Sequence, residues 1–250
     1  MSFFSNFGLT LLAYPYIFLG RLPIRLWSLI KHIIYAPFFI SERNKFNRPS
    51  PLKFSDYLRF TGAWIGILIT KILDLTGVFE ILDVFFHLIK PNSRRLTCLE
   101  INEAKKVFGD SLNYWQIRID EKSVFAKLGA KFNGSHALGV VTFRSINFTH
   151  KINCKEGNYD TAWLIHELVH VKQMQSLGSQ YIFEALYAQN TKAGYYYGGF
   201  DTLTKKYQLH HFNLEQQADI AKHYYQYALH GDKDKSVYEP YILDIQKGKF

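Results

Sequence analysis

The sequence predicts an α+β chain in which an apolar, basic helical region, residues 1–92, precedes a mixed domain, residues 93–250. Three observations predict it. Residues 1–90 carry only ten Lys/Arg and five Asp/Glu, with polar side chains recurring at helical spacing. Residues 114–120 and 137–148 are rich in Val, Ile, Phe and Thr in the manner of strands. Two strong helical patterns then follow, one opening near Asp160 and one at Asn213. The cluster Pro91-Asn92-Ser93-Arg94-Arg95 marks the boundary between the two parts.

Composition narrows the function classes. With 48% apolar and 20% charged residues in 250, the chain is neither disordered nor of low complexity. Two cysteines, Cys98 and Cys154, exclude a disulfide scaffold and a Cys-rich zinc module, leaving a single pairing between them open. The net charge of +9 comes without a basic run interleaved with aromatics, so nucleic acid is not an expected partner. A basic chain with 17% aromatics suits a membrane surface better.

Within the N-terminal region, Met1–Gly20 has no charged side chain, yet it lacks the basic start and small-residue cleavage site of a secretory signal. Ser5, Asn6, Thr10 and Pro15 dilute it relative to the roughly 20 apolar residues of a spanning helix. Leu22–Ile40 reads as a second helix. Arg25, Ser28, His32 and Tyr35 form one polar stripe, with Trp27 at its margin, as in a helix lying in a membrane interface. A turn-rich link, Ser41–Pro51, leads to the charge-free Phe60–Thr70. Beyond it Asp74, Glu80, Asp83, His87 and Lys90 mark a polar face, with Gly77 as a break. Residues 1–90 are therefore expected to meet a membrane, the basic residues after Gly20 favouring the cytoplasmic side; the competing expectation is a soluble helical layer over the second domain.

In the second part, Thr97 as N-cap, Glu100 three residues on and Gly109 beyond the end define a helix to Phe108. A strand is expected over Tyr114–Asp120 and one or two over Ala137–Phe148. An amphipathic helix is expected from Asp160, as N-cap, to Ser176. Another runs from Asn213, with Gln216 in a capping-box relation, to His230.

The first of these helices contains His166-Glu167-Leu168-Val169-His170. Positions i and i+4 share a helical face, so both imidazoles can reach one Zn2+ at about 2.0–2.1 Å. Glu167 is then placed to take a proton from zinc-activated water as general base. A catalytic zinc usually has three protein ligands, and downstream candidates are Glu184, Asp201, His210, His211, Glu215 and Asp219. Glu215 and Asp219 stand i, i+4 on the second helix. Glu215 is read as the third ligand and Asp219 as the group that orients a ligand histidine. Between the helices, Tyr195, Tyr196, Tyr197, Tyr207, His210 and His211 are candidate donors to an oxyanion, with His211 and Tyr197 preferred. Gly194, Gly198 and Gly199 mark a loop suited to act as a lid, and Ser145–Thr149 is the candidate strand at the cleft edge.

The run Trp163–Gln173 together with Asn213-Leu214-Glu215-Gln216-Gln217-Ala218-Asp219 resembles the gluzincin zinc metallopeptidases. More narrowly it is similar to the HExxH peptidase domains encoded near bacterial Rhs and Vgr elements of type VI secretion. The resemblance covers about residues 95–230. Thermolysin-like enzymes differ in placing an Asn directly before the ligand Glu, whereas Asn213 here lies two before it. It implies a zincin-like domain with a small sheet, an active-site helix and a glutamate helix. It also implies Zn2+ on His166, His170 and Glu215, Glu167 as base, and a peptide or protein substrate. Membrane-associated action at the bacterial inner membrane, or delivery as an effector with a secretion-system or immunity partner, follows as an expectation. The alternative is a membrane-inserting effector whose zinc domain is structural or a binding module.

Overall fold

The computed structural model describes residues 3–35, 54–90, 93–132, 139–189, 194–205 and 207–250; the expected link Ser41–Pro51 lies outside them. The chain is α+β and divides into two compact units. The first is Met1–Leu88 with Gly178–Glu184, and the second is Ile89–Leu177 with Ala185–Phe250. The short segment after the HExxH helix therefore belongs with the N-terminal helices, which nothing in its local sequence signals.

In the first unit, the two helices expected before residue 40 are one, α1 (Phe3–Ile34), which runs through Pro15 and Pro23. It packs against α2 (Phe54–Thr76), and α3 (Val78–Ile89) follows. Gly77 breaks α2 from α3 at φ +70°, a conformation that disfavours any side chain. A Cβ there would also press on Tyr14 and Phe18 of α1.

Most of the charged side chains described on these helices face inward, not outward. Arg25 donates to the Asp74 carbonyl at 2.8 Å and pairs with Glu80. Lys71 Nζ donates to Ser28 Oγ at 2.6 Å. His32 and Trp64 stack, and the Trp64 indole N–H donates to the His32 carbonyl at 3.3 Å. Asp74, Glu80 and Asp83 are buried, and of the expected stripe on α1 only Tyr35 is exposed. Helix pairing corrects the expectation of a water-facing polar stripe: a buried charge must be partnered, and here each helix supplies partners to the other. No helix among the described residues is long and apolar enough to cross a membrane.

The second unit is built on a four-stranded mixed sheet of β1 (Arg94–Arg95), β2 (Arg118–Glu121), β3 (Gly139–Thr142) and β4 (Ser145–Phe148), in the order β1-β2-β4-β3. β2 runs parallel to β4, with Ile119 opposite Ile146; the other pairs are antiparallel. Tyr114–Gln116, expected to begin a strand, forms a 3-10 turn instead. α4 (Cys98–Phe108) has the expected Thr97–Glu100 capping box, which satisfies two N–H groups at the helix start. α5 (Val124–Phe132) connects β2 to β3.

α6 (Tyr159–Leu177) carries the HExxH motif. It is buried on all sides, with Leu164, Ile165, Leu168 and Val169 wholly inaccessible, so it is a central helix and not the amphipathic one expected. Asn158, not Asp160, caps it, accepting from the Thr161 N–H at 2.9 Å; Asp160 accepts from the Asn153 N–H. α7 (Gln180–Gln189) and the short α8 (Phe200–Leu203) precede α9 (Leu214–His223). A π-helical segment, Tyr224–Leu229, continues α9, and α10 (Lys235–Lys247) closes the chain. Cys98 and Cys154 are unpaired.

Candidate metal centre

The site lies where α6 packs against α9. His166, His170 and Glu215 are all buried, and their nearest donor atoms lie within 4.8 Å of one another. His166 Nε2 and His170 Nε2 are 3.1 Å apart; Glu215 Oε2 is 3.4 Å from the first and 3.2 Å from the second. A tetrahedral ion with bonds of about 2.0–2.1 Å holds its ligands about 3.3 Å apart, so the spacing fits zinc.

The hydrogen bonds behind the rings fix what the converging atoms are. Gln217 donates its amide N–H groups to the Leu209 and Phe212 carbonyls, so its oxygen is an acceptor. That oxygen accepts from the Gln173 amide at 2.9 Å, which turns Gln173 Oε1 toward His170 Nδ1 at 2.8 Å. His170 Nδ1 must then carry the hydrogen. Asp219, whose Oδ1 lies 3.0 Å from His166 Nδ1, requires the same of His166. Both Nε2 atoms are left as acceptors, facing each other and a carboxylate in a dry site. Such a group repels itself unless protons or a cation sit within it.

The titration behaviour of the metal-free chain follows from this. Burial opposes a charge on His166, but the Asp219 and Glu215 carboxylates outweigh it and raise its pKa to about 10. His170 is raised by Glu215 against the same burial. Glu215 is held far below the usual carboxylate range by the two histidines, again against burial, and Asp219 is lowered by His166. Protons fill the positive role here that an ion would otherwise fill.

Glu167, beside the two histidines on α6, is 3% exposed, and burial raises its pKa. Its Oε1 accepts from the Trp163 indole N–H at 3.1 Å, one turn back on the helix. On its other side is the backbone of Gly139 at the start of β3; a Cβ there would overlap the carboxylate and come within 3.0 Å of Glu167 Cγ. Two spacings could have pointed to these supports, Trp163 at i−4 from Glu167 and Gln173 at i+3 from His170. Gly139 has no local signal.

The expected cleft edge is corrected by the sheet order. β4 pairs on both sides, with β2 and β3, so Ser145–Phe148 has no open edge; β3 is the edge strand beside Glu167. Among the tyrosines, Tyr195 is the one brought to the site, its ring 6.0 Å from that of His166. Burial and the Glu215, Glu167 and Asp219 carboxylates all raise its pKa, so it remains a protonated donor. The preferred Tyr197 is otherwise engaged, its hydroxyl 2.8 Å from His223 Nδ1, and His211 packs on Tyr207 and His210. The cap of α9 explains the placement. Asn213 accepts from the Gln216 N–H and donates to the Gly194 carbonyl at 3.0 Å, while Gln216 donates to the Tyr196 carbonyl at 2.8 Å. The same capping box that starts the glutamate helix thus clamps the chain on either side of Tyr195.

Among the remaining expected candidates, Asp201 lies on α8 and Glu184 belongs to the first unit, where it accepts from Gln180. A second group of possible ligands, Glu103, Glu156 and His230, is already served by a cation: Lys106 Nζ lies 2.8 Å from each carboxylate. No protein-family model, curated protein or solved structure matches the chain.

Proposed function

We propose that the chain is a zinc-dependent hydrolase of a peptide or amide bond, with a zincin-like second unit of the gluzincin type. Zinc would be held by His166, His170 and Glu215, with Asp219 and Gln173 orienting the two imidazoles. The observation that carries this reading is the convergence of two Nε2 acceptor atoms and a carboxylate at tetrahedral ligand spacing, with a further buried carboxylate alongside.

When bound, zinc supplies a Lewis acid that polarises a carbonyl oxygen and acidifies water. Glu167 acts as general base, accepting a proton from water and returning it to the leaving amine. Burial raises its pKa, which makes the carboxylate a stronger base than one in water. The Trp163 N–H and the close approach of Gly139 hold its carboxylate in one place. The Tyr195 hydroxyl is the candidate donor to the oxyanion. The edge of β3, next to Glu167, offers backbone groups to an extended peptide, so a peptide or protein is the substrate class. Action at a bacterial inner membrane, or delivery through a type VI secretion system with an immunity partner, is part of the same proposal.

A second reading makes residues 1–90 the active part, inserting into a membrane while the zinc domain is structural or only binds. The apolar exterior of the first unit favours it. The two readings separate at Glu167, which a structural site would not need.

Metal content and peptide hydrolysis test the proposal together. Elemental analysis of tag-free protein gives one zinc per chain, lost in His170→Ala and in Glu215→Ala. Glu167→Gln keeps the zinc and lowers cleavage of a peptide library by about 10²–10⁴-fold. A folded wild type without zinc refutes the proposal, as does cleavage by Glu167→Gln at the wild-type rate.

A further inference from the structure

The first unit is built with its polarity reversed. Of the acidic and basic side chains described on α1, α2 and α3, Lys71, Asp74, Glu80 and Asp83 are buried, and Arg21, Arg25 and His32 are partly covered; only Lys31 is exposed. Among the described side chains the exterior is mainly apolar. On α1, Leu12, Tyr16, Leu19, Ile24, Leu26, Trp27, Ile30, Ile33 and Ile34 face outward around more than half of the helix. On α2 the outward set is Tyr57, Leu58, Ile65, Ile69, Ile72 and Leu73, and on α3 Ile81, Leu82 and Phe85. A water-soluble helical pair has the opposite arrangement, with its apolar stripe in the seam and its charges in water.

This arrangement answers a different solvent. In hydrocarbon a charge is tolerated only when it is turned into the protein and paired. The seam does this: Arg25 meets Glu80 and the Asp74 carbonyl, Lys71 meets Ser28, and the Asp74 carboxylate accepts from the Ser179 N–H at 3.1 Å. The exterior also has the marks of an interface at one place. Trp27, Lys31 and Tyr35 stand four residues apart on one face near the end of α1, and Lys31 Nζ lies 5.3 Å over the Trp27 ring. Aromatic and basic side chains together are the residues that settle at lipid headgroups. The apolar positions lie on the sides of α1 and α2 turned away from each other, so one flat protein surface would cover only half of them. A fluid apolar phase covers them all.

We infer that this unit embeds its apolar exterior in the hydrocarbon of an anionic phospholipid bilayer. Trp27, Lys31 and Tyr35 then sit at headgroup level, and Arg25, Lys71, Asp74 and Glu80 meet polar partners inside. Anionic lipid matches the ten Lys/Arg against five Asp/Glu of residues 1–90. No single described helix is long and apolar enough to span, and the buried charges of α2 and α3 are turned into the seam of the unit. The sequence pattern of Arg25, Ser28, His32 and Tyr35 suggested a helix lying with a polar stripe to water, and the pairing with α2 turns that stripe inward. The inference does not depend on the zinc reading, since the test below requires neither metal nor substrate.

The test is flotation of the full chain with vesicles of phosphatidylethanolamine and phosphatidylglycerol, followed by an alkaline carbonate wash. Wild type floats and resists the wash. The double variant Ile65→Glu, Ile69→Glu, at positions 45% and 52% exposed, keeps its circular dichroism spectrum and loses at least about tenfold in vesicle partition. Val124→Glu with Leu128→Glu, apolar positions 67% and 51% exposed in the second unit, floats as wild type does. A wild-type measurement guards against a misfolded variant: brominated lipid quenches tryptophan emission, and the quenching shrinks in Trp27→Phe. Wild type that stays in the aqueous fraction overturns the inference. So does wild type stripped by carbonate, or a folded double variant that floats normally. A concentration-dependent dimer that shields Trp27 from brominated lipid overturns it in favour of a second copy of the chain.

Discussion

Asp219 does not touch the converging atoms of His166, His170 and Glu215, yet under the proposed function the affinity of that group for zinc depends on it. Its Oδ1 lies 3.0 Å from His166 Nδ1, which fixes the tautomer that leaves Nε2 as a ligand. Asn at this position keeps an acceptor oxygen and loses the charge, and charge-assisted hydrogen bonds are about twice as strong as neutral ones. Ala removes the acceptor altogether and leaves the imidazole free to turn or to change tautomer. Removing such an outer partner typically costs about 10–100-fold in metal affinity. We therefore expect about tenfold weaker zinc binding in Asp219→Asn and about 100-fold in Asp219→Ala, or about 1.4 and 2.7 kcal/mol. Competition with a chromophoric chelator measures this directly. Thermal unfolding gives a second measure, because each tenfold loss removes about 1.4 kcal/mol of zinc-dependent stabilisation at a fixed excess of metal, or about 3–6 °C. Lys222, 3.5 Å from the same carboxylate oxygen but turned to partial solvent, serves as control, and Lys222→Ala binds zinc as wild type does. Zinc bound by Asp219→Ala with wild-type affinity would show that Asp219 does not orient His166.

Three further outcomes follow from the geometry. Gly139→Ala displaces the Glu167 carboxylate, and because a shift of about 1 Å at a catalytic group can cost about 10²-fold, turnover falls by that order while zinc content stays at one per chain; steady-state kinetics beside elemental analysis checks it. Gln173→Leu removes the partners of the His170 Nδ1–H and of the Gln217 side-chain oxygen in a buried site, lowering stability by about 1–3 kcal/mol and weakening zinc binding, as urea unfolding with and without chelator would show. Glu100 is held below its ordinary 4.5: burial pushes it up, but Arg94 and the Thr97 N–H and hydroxyl outweigh that. Its contribution is fully present above about pH 4.5 and fades as pH falls toward the lower folded value, so the stability gap between wild type and Glu100→Gln is widest at neutral pH and closes in acid. A gap that does not change with pH would remove the Arg94–Glu100 pair from the account.

Features that depend on local spacing were legible in the chain before any packing was known. The i, i+4 histidines at 166 and 170, the i, i+4 carboxylates at 215 and 219, the capping boxes at Thr97 and Asn213 and the break at Gly77 are all written within a turn or two of helix. What the spacing could not decide is which partner each element meets. The periodicity that placed Arg25, Ser28 and His32 on one face is the same whether the face meets water or another helix, and only the packing of α1 on α2 turned it inward. The same holds for α6, read as amphipathic but buried all round, because a central helix has neighbours on every side that its own sequence does not name. Ser145–Phe148 looked like an edge, and the arrival of β2 in parallel made it interior. Tyr195 reached the site through hydrogen bonds from Asn213 and Gln216 at 19 and 20 residues' separation. Local periodicity fixes the face a residue occupies; long-range packing fixes what that face sees.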